Sequence, residues 1–141
     1  MNNRASLLAT IVLLVSVRTL NATDCIAEKT FKLRQVCGQV VGPSGEVVSE
    51  AKVRLSKKGK PEEAIEVGTG EKGYFLIPVS QAGEFELRVR VPIFQPAWQP
   101  ITLSRPTHNV KCVQPLKVAM QVAGRCSHVE RVKDTVDATT H

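Results

Sequence analysis

The sequence predicts an all-β protein, an antiparallel Greek-key sandwich of about seven short strands stapled by disulfides. Three observations carry that prediction. From Val36 onward apolar residues recur at every second position, the period of a strand and not of a helix. Turns rich in glycine and proline punctuate these runs at short intervals. The 141-residue chain also holds four cysteines with no Cys-x-x-Cys among them, an even set that reads as bridges in a small exported domain.

The first residues read as an export signal. Arg4 gives a positive start, Ala5 to Val17 is apolar apart from Ser6, Thr10 and Ser16, and Ala22 offers a small residue for cleavage. The apolar run is shorter than the roughly 20 residues of a spanning helix and is broken by Arg18, so no stable membrane insertion is expected after cleavage. Residues 1–22 are therefore assigned as signal, 23–35 as an N-terminal extension, 36–128 as the sandwich and 129–141 as a flexible tail. What remains after cleavage is one domain-sized chain, too short for two ordinary cores. The formal charge of +6 becomes +4 without Arg4 and Arg18. Lys57, Lys58 and Lys60 are followed at once by Glu62 and Glu63, a pattern of a solvated loop and not of a nucleic-acid groove.

Within the extension, Ala27 to Leu33 reads as one helical turn or a leader strand. Gly42, Pro43, Ser44 and Gly45 form a turn. Ala51, Val53 and Leu55 then fall on one face, with Lys52 and Arg54 on the other. Ile65 and Val67 point inward around Glu66. After a turn from Gly68 to Gly73, the clearest alternation follows. Phe85, Leu87, Val89 and Val91 share one face, against Glu84, Glu86, Arg88 and Arg90 on the opposite one. Such strict alternation means one face on a core and the other in water. Two acids followed by two bases on that outer face discourage self-pairing. Pro92, Pro96, Pro100 and Pro106 mark the next stretch as an edge strand or an extended connection, because proline removes a ladder donor. Leu116, Val118, Met120 and Val122 make a last strand, and the residues from Val129 onward show no packing pattern.

Gly38 with Val40, the following glycine turn, Ala51 with Val53 and Leu55, Gly73 with Phe75, and Gly83 with Phe85, Leu87 and Val89 resemble the carboxypeptidase regulatory-like domain. The resemblance covers Cys37 to Leu103, and more weakly extends to Val122. It implies a sandwich of transthyretin-like and Cna B-type architecture, within a carbohydrate-binding-like fold. These motifs speak to fold and hardly to activity. In that family the module commonly accompanies a peptidase, a receptor barrel or a surface array. Strands near the two ends of such a chain often lie side by side. That favours a Cys37–Cys112 bridge and leaves Cys25 for Cys126, although spacing alone leaves all three pairings open.

No catalytic constellation is legible, and no enzyme is expected. His108, His128 and His141 are not placed beside a nucleophile motif such as Gly-x-Ser-x-Gly, and no His-x-x-Glu appears. The pairs Glu62 with Glu63 and Glu84 with Glu86 read as solvated surface. A metal set of His108, Cys112, Cys126 and His128 can be drawn, but its spacing matches no familiar finger, and disulfides are the better account. No cofactor is expected. An isopeptide cross-link would need an Asn or Asp in the body of the domain, where only Asn109 occurs.

Trp98 stands out among only six aromatic residues. Ile101 and Leu103 set the inward parity, and Trp98 falls on the other, where an exposed indole would serve as a stacking platform. Alternatively, Pro96 and Pro100 break the parity and the ring caps one end of the core. Tyr74 and Phe94 are candidates to share its surface. Three functions follow as expectations. The first is a secreted binding module for carbohydrate or an envelope protein. The second is a structural protein pairing through exposed strands, and the third a small-ligand carrier of transthyretin-like type. No nucleic-acid partner is expected.

Overall fold

A computed structural model describes Cys25, Ala27 and residues 29–107 and 111–132. The export signal read over residues 1–22 lies outside the described residues, as do His108, Asn109 and the chain beyond Val132. No helix in the described part is long and apolar enough to cross a membrane.

The described residues form nine strands: β1 (Phe31–Leu33), β2 (Val36–Val41), β3 (Lys52–Lys57), β4 (Lys60–Gly68), β5 (Tyr74–Ile77), β6 (Gly83–Arg90), β7 (Ala97–Leu103), β8 (Leu116–Ala119) and β9 (His128–Arg131). They make a five-stranded sheet in the order β1-β7-β6-β3-β4 and a four-stranded sheet in the order β5-β2-β8-β9. The all-β sandwich is as expected, but its strands number nine and not seven. The sheets are mixed: β1 runs parallel to β7 and β2 parallel to β8, while the remaining pairs are antiparallel.

Alternation builds the core. Ala51, Val53 and Leu55 on β3 and Leu87 and Val89 on β6 are buried, and they join Val36, Val40, Phe75, Ile77, Ile101, Leu116 and Val118 in one apolar cluster. Gly38 lies between Phe75 and Leu116 in register, so close to the β8 backbone that a Cβ there would collide with the Leu116 carbonyl. Gly73 has a positive φ of 73°, and its carbonyl accepts from the Val40 amide, which fixes the entry to β5.

Four elements depart from the sequence reading. The proline-bearing stretch becomes β7, an inner strand and not an edge. It tolerates Pro100 because β1 begins pairing only at Ile101, so the strand is unflanked on that side at the proline. The tail assigned from Val129 starts inside β9, where Val129 is buried opposite Val118. A single inward residue in a four-residue strand is too little to show a period. Ile65, expected inward, is 41% exposed on β4, the terminal strand of its sheet. Glu62 and Glu63 lie in β4 and not in a loop. The basic run caps a two-residue hairpin, and Glu63 meets Lys57 at 3.9 Å and Lys60 at 3.7 Å. Val122 is also largely exposed, bridging Phe94 beyond the end of β8.

The disulfides are Cys25–Cys126 and Cys37–Cys112, the favoured pairing, and no described cysteine is free. Two bridges of this kind fit an oxidising, extracytoplasmic compartment.

Candidate functional site

Register decides which outward side chains meet. Across the five-stranded sheet, Trp98 on β7 stands opposite Arg88 on β6, Arg88 opposite Arg54 on β3, and Arg54 opposite Glu66 on β4. The adjoining row sets Arg90 opposite Lys52, and Lys52 opposite Gly68, which offers no side chain. On the other flank, Pro100, Glu86, Ser56 and Ala64 make the third row. A depression of about 320 Å³ lies over β3 and β6, lined by Lys52, Arg54, Arg88 and Arg90 with Glu66 and Glu86, and Trp98 stands outside its lining.

The contacts within this face are sparse. Arg88 reaches Glu86 at 3.8 Å while remaining half exposed. One guanidinium nitrogen of Arg54 donates to the Pro61 carbonyl at 2.8 Å, which orients that side chain along the sheet. Lys52 and Arg90 have no carboxylate within ion-pair distance among the described residues. Trp98 is half-buried, and its Nε1 is shielded from solvent without an acceptor. The outward parity read for Trp98 therefore holds, since Ala97, Gln99, Ile101 and Leu103 are all buried beside it.

Tyr74 and Phe94 do not join it. Tyr74 projects from β5 in the other sheet and is 60% exposed. Phe94 sits in the β6–β7 connection, packs against the core and bridges Val122. The Gln95 amide, donating to the Gln121 carbonyl at 2.8 Å, pins that connection in place. Tyr74 instead borders a groove of about 680 Å³ on the outer face of the four-stranded sheet, with Leu76, Lys117 and Val132 along its sides. The three aromatic candidates thus lie in three separate places.

Two buried amides escaped the sequence reading because glutamine carries no periodic signal. Gln99 donates to the Lys29 carbonyl at 2.6 Å, tying the approach to β1 against β7. Gln35 accepts from the Val113 amide and donates to the Lys111 carbonyl, which holds the segment around Cys112. No group of three or more His, Cys, Asp or Glu side chains among the described residues is placed to hold a metal ion. In the metal set drawn from sequence, Cys112 and Cys126 are each committed to a different disulfide.

Residues 35–113 match the model of the carboxypeptidase regulatory-like domain. The chain belongs to that family. Its sandwich, with both sheets and the glycine turns in place, is the architecture such a domain requires. Carboxypeptidase regulatory-like domains are non-catalytic in general. No curated protein matches the chain.

Proposed function

We propose that this carboxypeptidase regulatory-like domain is exported and acts as a non-enzymatic binding module. Its ligand is carbohydrate of a cell envelope, held on the outer face of the five-stranded sheet. The supporting observation is the position of Trp98, an outward indole in a row with Arg88 and Arg54. A sugar ring stacks on an indole face through its C–H surface while guanidinium donors bond its oxygens. The two disulfides support export. Lys52, Arg54, Arg88 and Arg90 are exposed on this face, where a ligand can reach them.

A glycan array with the wild-type chain and Trp98→Ala tests the reading. Binding that disappears in the variant is the expected result. Binding that persists at full strength would remove Trp98 from the site.

A second reading rests on Tyr74 and Leu76, both exposed on β5, the terminal strand of the four-stranded sheet. An envelope protein could pair there, through main-chain hydrogen bonds with side chains in the neighbouring groove. Pull-down of one envelope protein that is lost in Tyr74→Ser and kept in Trp98→Ala would favour that reading over the first.

A further inference from the structure

Four cations on one sheet face are common, but their register here is not neutral. Lys52 stands directly opposite Arg90, and Arg54 directly opposite Arg88, on antiparallel neighbours. Like charges placed directly opposite destabilise a sheet. At strand spacings the four side chains root in a rectangle of about 5 Å by 7 Å. Solubility alone would be served equally well by alternating signs, as the β3–β4 hairpin shows with Lys57, Lys60 and Glu63.

The local acids do not cancel the four charges. Glu86 reaches only Arg88, and Glu66 faces Arg54 without forming an ion pair among the described residues. The row of Lys52 and Arg90 is flanked on β4 by Gly68, so nothing there fills the space beside the ammonium. The face therefore keeps a net positive charge, and its least compensated corner adjoins the row of Trp98.

Resting on the carbohydrate reading above, we infer that the ligand is an acidic polysaccharide, a glycan carrying carboxylate or sulfate groups. Its ring stacks on Trp98, and its anionic substituents occupy the rectangle of Lys52, Arg54, Arg88 and Arg90. Guanidinium forks match planar carboxylate and tetrahedral sulfate in a way an isolated ammonium does not. The four cations are exposed to water, so a small free anion would be held weakly. A polymer engages several charges at once and gains by effective concentration. Single-stranded nucleic acid is the poorer fit, because it calls for successive stacking platforms along a cationic groove, and this face offers Trp98 alone.

The test uses the full chain with polygalacturonate, its fully methyl-esterified form and heparin, by titration calorimetry at 50 and 200 mM salt. The expected result is binding of polygalacturonate, heparin or both, which separates carboxylate from sulfate as the preferred group. Affinity should fall roughly tenfold or more between the two salt concentrations, as for a ligand held by several ion pairs. The esterified polymer, which keeps the rings and loses the charge, should bind at least about tenfold more weakly than polygalacturonate or, if heparin alone binds, no better than it. The double variant Lys52→Gln with Arg90→Gln should lose binding while melting no lower than wild type, because the opposed charges are gone. Equal affinity for the acidic and esterified polymers, both abolished by Trp98→Ala, would overturn the inference and leave the carbohydrate reading standing. Failure of both acidic polymers to bind at 50 mM salt would also overturn it, while the array judges carbohydrate binding separately. Tighter binding of a single-stranded oligonucleotide than of either acidic glycan would overturn the assignment of ligand class. The esterification comparison needs no variant, so a misfolded mutant cannot rescue the idea.

Discussion

Gln35 holds Val113 as a neighbouring strand would. The Val113 amide donates to Gln35 Oε1 at 3.0 Å, and Gln35 Nε2 donates to the Lys111 carbonyl at 2.7 Å. The side chain is almost fully buried, so these bonds are made away from water and are costly to leave open. The segment carrying Cys112 is thus positioned by a side-chain clamp as well as by its disulfide.

Replacing that clamp by an apolar side chain of similar size leaves the Val113 amide and the Lys111 carbonyl without their partner. Gln35→Leu should cost about 1–3 kcal/mol per group left unsatisfied. Urea denaturation of the oxidised protein measures it. A loss below about 0.5 kcal/mol would mean that water replaces the amide.

The alternation in β6 sets a sharper contrast. Leu87 is fully buried and Arg88 is half exposed on the opposite face. Leu87→Ala should destabilise by about 2–5 kcal/mol through lost contacts and a residual cavity. Arg88→Ala should change stability by no more than roughly 0.5 kcal/mol. Similar small losses at both positions would show that β6 does not present one face to the core.

Gly38 is the position least able to accept a side chain. A Cβ there points into the Leu116 backbone, and backbone in a central ladder cannot swing aside as a side-chain tip can. Gly38→Ala should therefore force β2 and β8 apart and cost about 3 kcal/mol or more, at the upper end of overpacking. Expression yield and thermal melting report it, and a melting point within a degree or two of wild type would refute the close approach.

The indole nitrogen of Trp98 is buried without an acceptor. Trp98→Phe removes that donor along with part of the ring. The relief of an unsatisfied group and the loss of packing oppose each other. Stability should stay within about 1 kcal/mol of wild type. A drop of about 3–5 kcal/mol in Trp98→Ala, the range for removing a buried aromatic, would make the ring a core element instead of a platform.

Much of the fold was legible because its strands are half-buried. Phe85, Leu87 and Val89, like Ala51, Val53 and Leu55, alternate with charges, and periodicity reads such strands directly. Where that condition fails, so does the reading. In β2 nearly every residue is buried on both faces, partly because the outward Cys37 lies beneath its disulfide partner, and glycine marked that strand better than period did. Pro100 argued for an edge, since the sequence could not show that β1 starts one residue later along β7. The outward residues Lys52, Arg54, Arg88 and Arg90 were each identifiable, but not as opposed pairs. Which cation faces which is set by the register of β3 against β6, and residue 52 meets residue 90 only after the chain has folded. Trp98 kept its parity for a related reason, because the ladder from Ala97 to Leu103 runs through the proline unbroken.

The Cys25–Cys126 bridge has a mechanical meaning. Tension that enters the chain before Cys25 and leaves after Cys126 is carried by the sulfur–sulfur bond, so the intervening backbone stays slack. The loop so closed contains β1 through β8, between cysteines 101 positions apart. Among the described strands only β9, which begins at His128, lies outside it and bears the load. Stretched in its oxidised form, this sandwich would lose one short strand and then stop lengthening, whereas a reducing agent would allow the same pull to unravel the whole domain.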